Sequence, residues 1–107
     1  MQRIGLLINI KPEKLAEYLE IHENVWPALL AELKAAGMSN YSLWVTPQGT
    51  EFGYLEVADW DAACAYLDKS EVHTRWQEYM QNYLESPKDA AMGGQPVELL
   101  KMSFFME

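Results

Sequence analysis

Four short segments of the chain, in which apolar side chains recur at every second position, constrain its fold most strongly. That periodicity is typical of β-strands, because successive side chains of a strand point to opposite faces of a sheet. The segments run from Arg3 to Ile10, from Asn40 to Thr46, from Glu51 to Ala58 and from Val97 to Met106. Pro47, Gln48 and Gly49 lie between the second and third segments, and this turn chemistry predicts a hairpin of two antiparallel strands.

The stretch between the first two strands is predicted to be helical. Pro12 opens it, since a proline at the first helical position sacrifices no hydrogen bond. Gly37 closes it, because glycine readily adopts the left-handed conformation that stops a helix, so the helix should reach about Ala36. Pro27 interrupts the stretch and disfavours helical backbone at the residue before it, so the helix is expected to kink or restart there.

Two further helices are predicted after the third strand. Asp59 is a suitable N-cap for a helix over residues 60–69, and Ser70 for one over residues 71–85. The element order is then β-α-β-β-α-α-β, which is typical of an α+β, ferredoxin-like fold: a four-stranded antiparallel sheet with helices on one face. With 107 residues and no internal repeat or linker, the chain is predicted to be a single domain over residues 1–107.

Helices that cover one face of this sheet leave the other face open, although both faces carry large apolar side chains. The alternation assigns Leu7, Trp44 and Leu55 to one face, and Ile8, Leu43 and Phe52 to the other. An open apolar face of this size is unfavourable in water. The sequence therefore predicts a homodimer that packs sheet against sheet.

The formal net charge of -8 argues against nucleic acid and anionic membrane surfaces as partners, because both would repel the chain. Arg3 and Arg75 are the only arginines, so a dedicated phosphate clamp is not expected and a neutral ligand fits better. No apolar run approaches the roughly 20 residues of a membrane span. Cys64 is the only cysteine and residues 1–10 do not read as a signal peptide, so the expected location is cytoplasmic.

Metal and nucleotide sites find little support in the sequence. His22, His73 and Cys64 lie on three different predicted helices, without the close spacing that metal ligands show. Gly93 and Gly94 are not followed by a P-loop lysine. Cys64 sits among alanines, which is typical of an inert packed cysteine. We therefore expect neither a metal nor a cofactor.

The strongest candidates for a functional site are Tyr18, His22 and Trp26, which recur at a spacing of four. On one helix this spacing would align a phenol, an imidazole and an indole, a set that suits a small polar ligand with an apolar face, such as a sugar. His22 changes charge near neutral pH and is a candidate for acid–base catalysis. The same pattern is also typical of a buried, hydrogen-bonded core histidine, and both interpretations stay open on spacing alone.

Three stretches of the chain resemble the L-rhamnose mutarotase family: Tyr18-x-x-x-His22-x-x-Val25-Trp26-Pro27, Gly37-x-x-Asn40-Tyr41-Ser42-Leu43 and Arg75-Trp76-x-x-Tyr79-Met80. The resemblance covers roughly residues 1–86. It implies a dimeric α+β barrel that interconverts the α and β anomers of L-rhamnose without a cofactor. It also implies that His22 is the proton donor and that Tyr18, Tyr41 and Trp76 contact the sugar.

The chain departs from the family pattern where specificity is often determined. Gln77 follows Trp76 where the family usually has a second tryptophan, and the predicted loop over residues 86–96 differs from the family's. The reaction type is therefore indicated more firmly than the sugar, and any second acid–base group is left open. Two other functions remain: a non-catalytic dimer that binds a small molecule, with His22 simply buried, and a cofactor-independent monooxygenase or lactone isomerase on the same fold.

Overall fold

The computed structural model describes residues 1–85 and 97–107. The predicted loop over residues 86–96 lies outside the described residues. In chain order the elements are β1 (Gln2–Asn9), a short 3-10 helix (Pro12–Lys14), α1 (Leu15–His22), α2 (Pro27–Ala35), β2 (Met38–Val45), β3 (Thr50–Val57), α3 (Trp60–Asp68), α4 (Glu71–Met80) and β4 (Val97–Leu100).

The strands form one antiparallel sheet in the order β2-β3-β1-β4. The central strands and the helices share one hydrophobic core. It includes Leu6, Ile8, Leu55 and Val57 from the sheet and Tyr18, Leu29, Leu67 and Met80 from the helices. This arrangement confirms the predicted α+β, ferredoxin-like fold. The helix-covered face of the sheet is therefore where inward side chains of β1, β2 and β3 meet those of α1 and α4.

The register of β3 corrects the predicted sheet faces. Phe52 lies directly opposite Leu7 on one side and Trp44 on the other, so these three side chains share the face that the helices leave open. Leu55 instead points into the core and is completely buried. The face predictions for Phe52 and Leu55 were wrong because alternation within one strand does not say how that strand aligns with its neighbours.

A bulge in β2 determines which way Tyr41 points. Asn40 has a positive φ of 49°, and the pairing between β2 and β3 shifts between Ser39 and Ser42. One extra residue in a strand reverses the alternation of the side chains that follow. Met38 and Tyr41 consequently both pack against the core, although they are three positions apart.

The helical stretch between β1 and β2 restarts at Pro27, as predicted. Trp26 has an extended ψ of 126°, which separates the end of α1 at His22 from α2. Gly37 has a φ of +93°, and the left-handed residue ends the stretch as expected. The break gives α1 and α2 independent directions, so His22 and Trp26 are not on one helix.

The two later helices begin at their predicted caps, since Asp59 accepts a hydrogen bond from Ala62 N and Ser70 accepts one from His73 N. The last helix, α4, ends at Met80 rather than near residue 85. Beyond it the chain bonds to the end of β1 through Lys11 N to Tyr83 O and Glu85 N to Asn9 O. These tertiary hydrogen bonds replace the helical ones that a longer α4 would make.

Strand β4 is also shorter than predicted. It pairs with β1 only from Val97 to Leu100, whereas the alternation of apolar residues predicts a strand to Met106. The side chains of Phe104 and Phe105 are 78% and 49% exposed. Because burial does not reward further pairing there, residues 101–107 have no regular structure.

Candidate active site

Helix α1 presents Tyr18 and His22 on one side, one turn apart. Their ring centroids are 4.1 Å apart. Nδ1 of His22 lies 2.9 Å from the carbonyl oxygen of Tyr18, which can only accept, so Nδ1 donates and Nε2 is left to exchange protons. Burial lowers the pKa of His22, and the Tyr18 carbonyl only partly opposes this. The imidazole is therefore oriented and, once protonated, readily gives its proton up.

Trp76 of α4 closes the other side of His22. The two rings meet edge to face with their centroids 5.5 Å apart. Trp26 contacts Trp76 at 5.0 Å and stacks on Tyr79 at 5.8 Å. Trp26 thus joins the aromatic cluster through α4, and the helical stripe predicted from its spacing to His22 was wrong because α1 ends at His22.

Tyr41 reaches the same region from β2, because the bulge turns it inward. Burial raises the pKa of Tyr41, and the nearby Glu51 raises it further. Tyr41 in turn contributes to the raised pKa of Tyr18. The four residues predicted to form the site, Tyr18, His22, Tyr41 and Trp76, therefore lie in one neighbourhood under the helices.

Glu51 is a member of this neighbourhood that the sequence analysis missed. The Tyr18 hydroxyl donates a 2.7 Å hydrogen bond to Glu51 Oε1, and Glu51 is only 3% exposed. A signal was present in the sequence. Glu51 has the same parity in its strand as Gly53 and Leu55, and a carboxyl at such an inward position breaks the apolar pattern.

The interior position of these side chains limits what can bind. Tyr18 and Trp76 are 3% and 6% exposed, so a ligand that touches both must enter the protein rather than lie on its surface. A separate cleft of about 380 Å³ is lined by Glu32, Ala65, Tyr66, Lys69 and Ser70. None of the four predicted site residues lines that cleft.

Metal-binding and membrane-spanning features are not found in the part of the chain that the structure describes. Residues 1–85 and 97–107 contain no group of three or more His, Cys, Asp or Glu side chains that could hold a metal ion. No helix within these ranges is long and apolar enough to cross a membrane. The candidate site itself brings together an imidazole, a carboxyl and phenols, which can exchange protons, beside apolar aromatic rings.

Comparisons with known proteins bear on the family and the fold of the chain. A family model described as L-rhamnose mutarotase matches residues 3–106. An L-rhamnose mutarotase of Tolumonas auensis is 33% identical over 106 residues, which cover 98% of this chain and 97% of that protein. One of Oceanobacillus iheyensis is 30% identical over 90 residues, covering 83% of this chain and 86% of that protein. The crystal structure of an L-rhamnose mutarotase from Formosa agariphila has the same fold, with a TM-score of 0.82 at 22% identity over 100% of both chains.

Proposed function

Because this chain belongs to the L-rhamnose mutarotase family, we propose that it interconverts the α and β anomers of L-rhamnose or of a closely related sugar. The reaction opens the pyranose ring to the free aldehyde and closes it again on the other face of the carbonyl. Opening requires a proton at the ring oxygen and loss of a proton from the anomeric hydroxyl. Both are transfers that a histidine near its pKa accelerates.

The His22 imidazole is the observation that carries this proposal. In our proposal it is the proton donor, and Nε2 delivers the proton to the ring oxygen while the bond from C1 to that oxygen breaks. The hydrogen bond of Nδ1 to the Tyr18 carbonyl supports this role, because it fixes both the tautomer and the direction of Nε2. The lowered pKa of His22, caused by burial, supports it further because it makes the imidazolium a stronger acid.

Three aromatic residues are proposed to bind the sugar. The Trp76 ring would cover the apolar face of the pyranose and its methyl group, since it stands beside His22 and is itself buried. The Tyr18 and Tyr41 hydroxyls would hydrogen-bond sugar hydroxyls from α1 and β2. Electrostatic coupling of both tyrosines to Glu51 supports a common site for them.

We also propose that the protein is a homodimer in which two sheets pack through their open faces. On that face the exposed fractions are 70% for Trp44, 45% for Phe52 and 40% for Leu100. Exposed aromatic side chains in one patch are unfavourable in water and typical of an interface core. Sedimentation velocity tests this assembly directly.

The single cysteine, Cys64, supports the proposed cytoplasmic location, because it leaves the chain without an internal disulfide.

Saturation-transfer proton NMR on equilibrated L-rhamnose tests the activity. One anomeric proton is saturated, and loss of signal from the other measures exchange. We expect transfer with the wild type and a fall of about 10²–10⁴-fold in catalysed exchange for His22→Ala, because this is the usual contribution of a general acid. His73→Gln is the control, since His73 is the other histidine of the chain, and among the described residues the ring contacts of His22 are with Tyr18 and Trp76 rather than with His73.

Folding of each variant is checked by circular dichroism. A folded His22→Ala protein that exchanges the anomers as fast as wild type would remove the proton-donor role. Transfer with another reducing sugar but not with L-rhamnose would keep the reaction and change the substrate, with Gln77 as the first residue to exchange. A folded wild type that is inactive on every reducing sugar would refute the proposal and favour a binding dimer.

A further inference from the structure

Glu51 is a carboxyl in an unusual place. It lies at the inward face of the central strand β3, where its neighbours in register are Ile8 on β1 and Val45 on β2. Glu51 is buried, with 3% of its surface exposed, compared with 6% for its neighbour Ile8. Placing a charged carboxyl in such surroundings is unfavourable, whereas an apolar side chain would continue the pattern of the strand.

The groups that face Glu51 are phenols rather than cations. Tyr18 approaches from α1 and donates the hydrogen bond at 2.7 Å, and Tyr41 approaches from β2. Within residues 1–85 and 97–107 the one ion pair joins Arg75 to Glu71, so no described cation neutralises Glu51. Burial raises the pKa of Glu51, and the hydrogen bond from Tyr18 opposes this shift only in part.

Tyr18 connects this carboxyl to the proposed proton donor. Its carbonyl oxygen accepts the hydrogen bond from His22 Nδ1 at 2.9 Å, and its hydroxyl donates to Glu51. Its ring also packs against the imidazole at 4.1 Å between centroids. Tyr18 thus touches both titratable groups. Its hydroxyl oxygen and His22 Nε2 are two separate points at which protons can be exchanged with a ligand.

We propose that Glu51 is a positioning residue that acts through the Tyr18 hydroxyl and gives the reaction its second proton-exchanging point. This inference rests on the proposed mutarotase function. It assigns an opposing partner to His22, because ring opening needs one group that gives a proton and another that takes one. Glu51 itself does not touch the sugar in this scheme.

The proton transfers balance over one turnover. His22 Nε2 gives its proton to the ring oxygen as the bond from that oxygen to C1 breaks. The anomeric hydroxyl gives its proton to the hydroxyl oxygen of Tyr18 as the C1 carbonyl of the open-chain sugar forms. At the same time, Tyr18 passes its own hydroxyl proton to the Glu51 carboxylate. After the aldehyde rotates, the same transfers run backwards on the other carbonyl face, so His22 and Glu51 return to their starting forms and no proton is gained or lost.

This scheme works only while His22 and Glu51 together hold one proton. Burial lowers the pKa of His22 and raises that of Glu51, so the two pKa values lie closer together than those of a free histidine and a free glutamate. A second proton blocks the carboxylate at low pH, and loss of the proton stops the reaction at high pH. The rate should therefore follow a bell-shaped curve whose two limbs belong to the pair.

The pH dependence of anomer exchange tests the inference. We expect two limbs for wild type and a fall of about 10²-fold or more for Glu51→Gln, whose residual rate keeps only the single limb of His22. Tyr18→Phe should give the same result, and the double variant should lose little more, because the two residues act as one unit. Glu32→Gln is the matched control, since Glu32 accepts a similar hydrogen bond from Tyr66 at the surface and lies outside the site.

The outcomes separate this inference from the function on which it rests. If wild type exchanges the anomers but Glu51→Gln retains its rate within about threefold and both limbs, Glu51 has no part in proton transfer and only this inference fails. If wild type exchanges no reducing sugar, the proposed function fails first. Should Glu51→Gln not fold, Glu51→Asp decides, because a retained carboxyl should preserve both limbs at a lower rate and a single limb would contradict the scheme.

Discussion

Replacing Glu51 with glutamine should stabilise the protein at alkaline pH and leave its stability nearly unchanged at about pH 5. Glutamine has the shape of the protonated acid and keeps an oxygen that can accept the Tyr18 hydrogen bond. Burial raises the pKa of Glu51 from 4.5, so over a range above 4.5 the carboxyl is protonated in the folded chain and ionised in the unfolded chain. The folded state then binds more protons, and wild-type stability decreases as the pH rises through this range.

The slope of this effect follows from linkage. For one group that is protonated only in the folded state, the free energy of unfolding changes by about 1.4 kcal/mol per pH unit. The glutamine variant lacks this loss, so its advantage over wild type grows at up to that slope and becomes constant above the folded-state pKa. Burial lowers the pKa values of His22 and His73, so the folded protein loses stability as the pH falls below 6.5. Wild type and Glu51→Gln share this contribution, so it cancels in the difference between them.

Urea unfolding at fixed protein concentration, from about pH 5 to about pH 8, measures the effect. Tryptophan fluorescence and far-ultraviolet circular dichroism should report the same transition. Glu56→Gln is the control, because hydrogen bonds from Tyr54 and Asn40 lower the pKa of Glu56 and the group is ionised in both states over this range. A difference between Glu51→Gln and wild type that does not change with pH would show that the buried carboxyl is ionised when folded, and the reasoning would be refuted.

Two further substitutions test the turn and the open sheet face. Gly49→Ala should destabilise the chain by about 1–3 kcal/mol, because Gly49 has a φ of +95° and an added Cβ would lie 2.6 Å from the Ile10 carbonyl oxygen; an unchanged urea midpoint would contradict this. Trp44→Lys should convert the proposed dimer to a folded monomer, because it places a charge in the open face where Trp44 is 70% exposed. Sedimentation velocity checks the second substitution, and a sedimentation coefficient equal to that of wild type would argue for a different interface.

Most of the fold could be predicted from local sequence. The alternating segments gave the strands, and their turns gave the hairpin between β2 and β3. Pro27, Gly37, Asp59 and Ser70 marked helix boundaries that the structure confirms, because each acts on backbone within a few residues of itself. The ends of α4 and β4 were predicted too far along the chain, since tertiary hydrogen bonds and the absence of burial determine where those elements end.

The candidate site could be predicted only in part. Tyr18 and His22 followed from helical spacing, and Tyr41 and Trp76 from a family resemblance. Glu51 was missed because nothing local indicates that the third strand brings a carboxyl to the hydroxyl of Tyr18, 33 residues earlier in the chain. The inward parity of Glu51 was the available signal, and it becomes informative only when the sheet face is known.

The sequence by itself determined the type and order of the elements, because periodicity, prolines, glycines and caps act over one or two turns of backbone. Only the tertiary structure decided that Phe52 belongs to the open face, that Trp26 joins the site through Trp76, and that Glu51 meets Tyr18. Strand register and helix docking depend on the packing free energy of the whole chain. Residues far apart in sequence meet only when that total is minimised.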